Sequence, residues 1–67
     1  MHLLRYFTYD HLPAGPLRET SALFADLADA LADALPDGPE KTTAMRKLLE
    51  AKDAGVRAAL DIIDTEN

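Results

Sequence analysis

Side chains with chemistry to offer fall in three places. The first is Tyr6-Phe7-Thr8-Tyr9-Asp10-His11-Leu12-Pro13, which holds three of the chain's four aromatic rings. Flat rings stack on nucleobases of any kind, and the Tyr9 hydroxyl adds a donor. A plainer expectation stands beside this: Phe7 and Leu12 simply pin the segment to the rest of the chain. The second place is Lys52. Helical spacing sets it near the middle of the line Met45, Leu49, Val56, Ile63. An ammonium there must snorkel to water, pair with a carboxylate, or meet an anion such as a ligand phosphate at a subunit boundary. The third is Lys41-Thr42-Thr43 at a helix start, where backbone N–H groups, hydroxyls and a lysine suit an anion and equally suit ordinary capping.

Catalytic chemistry is poorly supplied. The chain has no cysteine, no glycine-rich phosphate loop, and no histidine beyond His2 and His11. Those two could approach a metal with Asp10, but nothing fixes a third ligand. The expectation is a protein without enzymatic activity, cofactor or metal. A net charge of −5 argues against binding along a DNA or RNA backbone, which needs a basic face. It leaves room for a small anionic ligand in a local basic pocket. No apolar run approaches the roughly 20 residues needed to span a bilayer. His2-Leu3-Leu4-Arg5 also lacks the apolar core of a signal peptide, so a cytoplasmic location is expected.

Two helices must position these groups. Residues 1–13 read as an aromatic arm and residues 14–64 as a helical hairpin. Its parts are a helix over 14–35, a turn over 36–39 and a helix over 40–63. Gly15 and Pro16 mark the first start, since proline's missing N–H costs nothing at the first helical position. Leu17, Thr20, Phe24, Leu27, Leu31 and Ala34 follow at alternating spacings of three and four, a seam on one face, widened by Leu23 and Ala30. Asp26, Asp29 and Asp33 are expected to face water. Pro36-Asp37-Gly38-Pro39 is strong punctuation, and so short a connection makes the helices antiparallel neighbours.

In the second helix Met45, Leu49, Val56, Ala59, Leu60 and Ile63 line one face, with Leu48 beside them. Arg46, Glu50, Asp53, Arg57 and Asp61 line the other, where i,i+4 pairs contribute a few tenths of a kcal/mol each. Ala44, Ala51, Gly55, Ala58 and Ile62 form a second stripe. Glycine costs about 1 kcal/mol inside a helix, so Gly55 reads as a point of close contact, with another subunit as one partner. The fold class expected is all-α: an antiparallel two-helix hairpin with an N-terminal arm, assembling into a homo-oligomeric helical bundle. A chain of 67 residues buries only about 60% of its unfolded surface. Without disulfides or metals, self-association is the remaining support, and the surplus apolar arc of the second helix offers the interface.

Taken together, Phe7-Thr8-Tyr9, Leu12-Pro13, Leu35-Pro36-Asp37-Gly38-Pro39-Glu40, Arg46-Lys47-Leu48-Leu49-Glu50-Ala51-Lys52-Asp53-Ala54 and Val56-Arg57-Ala58 resemble the helical-hairpin domain of phage anti-CBASS and anti-Thoeris sponges. The resemblance spans residues 7 to about 60. It implies a viral anti-defence protein, a homohexamer in the host cell cytoplasm. Such a protein sequesters cyclic di- and trinucleotides or cyclic ADP-ribose isomers, uncleaved, in pockets between subunits. Tyr9 falls on the family's base-stacking tyrosine and Asp10 on its polar neighbour. Phe24 stands where the family carries a basic residue. Either Arg18 or Lys52 then supplies the positive charge, or a trinucleotide or ADP-ribose-type ligand is preferred. The nucleotide-binding set expected on these grounds is Phe7, Tyr9, Asp10, His11, Arg18, Phe24, Lys41, Thr42 and Lys52. The alternative function is a small helical regulator that docks its apolar stripe on a partner protein.

Overall fold

The computed structural model describes residues 2–66, and side chains through residue 63. A short 3₁₀ helix over His2–Phe7 leads into a loop, then α1 over Pro16–Ala34 and α2 over Pro39–Glu66, packed antiparallel. Among the described residues there is no strand, and no helix is long and apolar enough to cross a membrane.

Both helix starts follow from glycine and proline. Gly15 has φ 135°, a conformation that strains any residue with a Cβ. It turns the chain into Pro16, and its carbonyl accepts from the Glu19 N–H at 3.0 Å. Gly38 does the same for α2, accepting from Thr42 N–H at 3.1 Å, while Leu35 N–H closes the end of α1 on Leu31 O. The hydroxyls of Thr42 and Thr43 turn back onto the carbonyls of Gly38 and Pro39. That satisfies them locally.

The core forms where three elements meet. Phe7, Ala28 and Met45 are buried together, with Leu3, Leu4, Phe24, Ala25, Leu31, Leu48 and Leu49 packed around them. The segment expected as a loose arm is thus a helix that docks on the hairpin. Its docking moves the buried line of α1. Leu27 and Ala34, expected in the seam, are exposed, as are Leu23 and Ala30, while Ser21 and Ala28 carry the burial. The reason is that α1 faces two neighbours. Small side chains at Ser21, Ala25 and Ala28 let α2 approach on one side and leave room for Phe7 on the other. The seam of α2 runs as expected through Met45, Leu49, Val56, Ala59 and Ile63, except that Leu60 is exposed; Lys41 and Lys52 lie along it.

Gly55 is the contact point between the helices of one chain. A Cβ there would reach the ring of Phe24 and the methyl of Thr20. The hairpin accounts for this glycine without a second subunit.

The molecule is a rod of 44 × 19 × 15 Å, its length set by α2, since 28 residues at about 1.5 Å each span roughly 42 Å. Its radius of gyration of 13.0 Å exceeds the roughly 11 Å of a compact domain this long. The accessible area of 4633 Å² likewise exceeds the roughly 4,200 Å² typical for the mass. Leu23 and Leu27, one turn apart on α1, remain 72% and 48% exposed.

Candidate functional site

The cations named from sequence are held by backbone carbonyls. Lys41 is only 8% exposed. Its ammonium donates to Ala32 O at 2.6 Å and to Asp37 Oδ1 at 3.0 Å. Ala32 lies across the turn in α1 and Asp37 within the turn, so Lys41 clips the end of α1 to the start of α2. It occupies itself with carbonyl and carboxylate rather than facing outward. The hydrogen bond from Lys41, then its charge, holds the Asp37 carboxyl below its ordinary range, against a smaller opposing effect of burial. The Lys41–Asp37 contact is an i,i+4 salt bridge. The expected Arg46–Glu50 and Asp53–Arg57 pairs are not closed.

Lys52 donates to Tyr6 O, and its ammonium lies 5.9 Å from the Phe7 ring centroid. It therefore meets the carbonyl end of the 3₁₀ helix, where a cation suits the dipole. Arg18 donates to Leu12 O at 3.2 Å and stands 5.6 Å over the Tyr9 ring. The Leu12 N–H bonds back to Tyr9 O at 3.0 Å. The turn over residues 9–12 is thereby fixed above the first turn of α1, with the Tyr9 ring and the Arg18 guanidinium as a pair.

Two grooves flank this turn, and Thr8 lines both. One, of about 200 Å³, is lined by Tyr9, Asp10 and Asp29 over Leu4, Phe7 and Ala25. It offers a ring for stacking and carboxylates that accept from base N–H groups. Phe7 contributes little surface to it, being 2% exposed; its ring belongs to the core, as does much of Phe24. The second groove, of about 250 Å³, gathers His11, Ser21, Lys52, Asp53 and Arg57, walled by Leu12 and Val56. Ser21 is 1% exposed and its Oγ has no hydrogen-bond partner. A buried hydroxyl left unpaired costs roughly 1–3 kcal/mol.

Of the residues expected from sequence, Tyr9, Asp10 and Arg18 gather at the first groove or its rim, and His11 and Lys52 at the second. Lys41 and Thr42 lie at the opposite end of the hairpin, beside the turn. There they line a shallow hollow of about 310 Å³ with His2, Leu3, Asp37 and Gly38. Ser21 escapes sequence reasoning because it sits inside an amphipathic helix, where a lone serine carries no spacing signal. Arg57 reads as part of a solvated face until the loop is seen to close beside it. Among the described residues no cluster of three His, Asp or Glu side chains is placed to hold a metal ion. Comparison with protein-family models, curated proteins and solved structures finds no match.

Proposed function

We propose that this protein sequesters a cyclic oligonucleotide or cyclic ADP-ribose-type signal, binding it without cleavage between copies of the hairpin. The observation that carries the reading is the Tyr9–Arg18 pair beside a groove whose charged groups are the carboxylates of Asp10 and Asp29. Base stacking on an aromatic ring contributes roughly 1–3 kcal/mol, and Asp10 and Asp29 suit the N–H edge of the base. A groove of about 200 Å³ is smaller than the roughly 300–1,000 Å³ of pockets for drug-sized ligands. A second chain completing its wall accounts for the shortfall. The exposed Leu23 and Leu27 support an association surface, and this reading takes the assembly to be a closed homo-oligomer, six chains by the resemblance to the sponge family.

The test is calorimetry of the purified chain against cyclic di- and trinucleotides and cyclic ADP-ribose isomers, with recovery of the ligand after heat denaturation. Binding to at least one, its loss in Tyr9→Ala with the fold intact, and release of unaltered ligand are expected. No heat with any of them, or recovery of a cleaved product, defeats the reading. The same exposed leucines favour a second reading, a helical module that docks on a partner protein. A monodisperse single chain in light scattering, silent toward every nucleotide, selects it.

A further inference from the structure

We infer that the second groove, an open depression lined by one chain between the 8–12 turn, α1 and α2, is a binding site for a protonated phosphate group, either inorganic phosphate or a small phosphomonoester. The inference is independent of the cyclic-nucleotide reading. It starts from Ser21, which lines this groove and whose buried hydroxyl has nothing to bond. Buried polar atoms are nearly always satisfied, and an exception asks for a partner.

Donors dominate the surroundings. Lys52 spends one of its three N–H bonds on Tyr6 O, leaving two. Arg57 brings a guanidinium with five donors from the exposed face of α2. The Thr8 hydroxyl has only a long bond, 3.4 Å, to Arg5 O, and His11 adds an imidazole. Two cations, Lys52 and Arg57, against the single carboxylate of Asp53 leave the groove positive on a chain of net charge −5. A compact anion with several acceptor oxygens answers this donor set, and charge-assisted bonds are the strong ones.

Asp53 narrows the choice. A carboxylate at the rim repels a fully ionised oxyanion but accepts from one that keeps a proton. Phosphate and its monoesters, with a second ionisation near pH 6 to 7, retain a P–OH in part of the population at neutral pH. Sulfate and phosphodiesters do not. At about 250 Å³ the groove falls short of the roughly 300–1,000 Å³ typical for drug-sized ligands, so a phosphate with a small substituent is its natural occupant.

The test is a two-dimensional amide NMR titration of the full chain with sodium phosphate, ribose 5-phosphate and sodium sulfate at constant ionic strength. Saturable shifts at Thr8, Ser21, Asp53 and Arg57 are expected with phosphate or the monoester, and binding about tenfold weaker with sulfate, as for the loss of one charge-assisted bond. Tighter binding of the monoester identifies an organic phosphate as ligand; equal or tighter binding of phosphate identifies the ion itself. Arg57→Gln is expected to weaken binding by about tenfold or more, and Arg46→Gln, the same charge change outside the groove, to leave it unchanged. Ser21→Ala is expected to bind more weakly while melting higher without ligand, because it removes the unpaired hydroxyl. The site is overturned if no saturable shift appears in the groove, if sulfate binds as well as phosphate, or if Arg46→Gln weakens binding as much as Arg57→Gln.

Discussion

Gly55 lies against the ring edge of Phe24: a Cβ at position 55 would stand 2.8 Å from Phe24 Cε2 and 3.2 Å from Cζ. Two opposing effects decide what a methyl does there. Alanine recovers about 1 kcal/mol of helix propensity over glycine. Overpacking a fitted contact costs about 1–3 kcal/mol, and here the ring is already wedged among partly buried neighbours. Gly55→Ala is therefore expected to lower the urea midpoint, and Gly55→Val to lower it further. In a Phe24→Leu background, with the ring edge removed, the same alanine becomes stabilising. A double-mutant cycle measures this coupling; additive effects, or a stabilised single Gly55→Ala, contradict the contact.

The turn clip carries a pH signature. Asp37 is fully exposed while its partner Lys41 is nearly buried, so the pair is screened on one side and modest in strength. The hydrogen bond and charge of Lys41 hold the folded-state carboxyl below its ordinary 3.8. A depressed carboxyl stabilises the fold above its unfolded value and loses that contribution as pH falls through the folded one. Wild type is expected to exceed Asp37→Asn in urea midpoint by a constant margin from pH 7 down to about pH 5. The margin should then close below pH 3.8. A margin unchanged by acid means that Asp37 acts through something other than its charge.

The N-terminal helix is held by the buried ring of Phe7, with Leu3 and Leu4 packed beside it, and by the ammonium of Lys52. A chain of this length has a total stability of roughly 3–10 kcal/mol, at about 0.05–0.15 per residue. Phe7→Ala, which empties the largest buried site, is expected to cost about 3–5 kcal/mol, a large share of that total, and to lower the urea midpoint accordingly. Lys52→Met keeps the stem over Phe7 and loses the bond to Tyr6 O, about 1 kcal/mol, together with the ammonium's contact with the Phe7 ring. It is expected to fold and to be cut faster by trypsin after Arg5, because the helix over His2–Phe7 opens more often. Equal cleavage rates argue that Lys52 does not hold that segment.

What the sequence made legible follows from the range of each signal. Pro16 and the Pro36-Asp37-Gly38-Pro39 turn act locally, and both helices begin within two residues of the positions they mark. The face of α2 follows its own periodicity, and Lys52 lies within it as expected. The 3₁₀ helix of six residues is too short for a period to show, so the segment reads as an arm. Once it docks, Phe7 claims a side of α1, and the apolar line that periodicity assigns to Leu27 shifts to Ala28. Local spacing cannot register a neighbour that arrives from the N-terminus. For the same reason Tyr9 and Asp10, neighbours in the chain, can be read together as lining one groove, whereas Ser21 and Arg57 meet only after the turn over 9–12 folds across them.

That shift on α1 exposes Leu23 and Leu27 side by side, and this sets the last expectation. Leu23 is the more exposed of the two, and neither belongs to the buried cluster around Phe7, Ala28 and Met45. Charging them therefore leaves the hairpin's own packing in place. If copies of the chain associate through this face, each leucine fully buried at the contact contributes roughly 1.5–3 kcal/mol. Two from every chain then account for a large part of an interface. Wild type is expected to elute as a multimer in size-exclusion chromatography with light scattering. Leu23→Glu combined with Leu27→Lys is expected to elute at the mass of one chain with its helical circular dichroism largely retained. Because the Tyr9 groove is read as half of a pocket, that variant should also lose cyclic-nucleotide binding, whereas the groove around Ser21, complete within one chain, should still take phosphate. A multimer that survives both charges places the contact elsewhere, with the exposed Leu60 and Ile62 on α2 as the next face to charge.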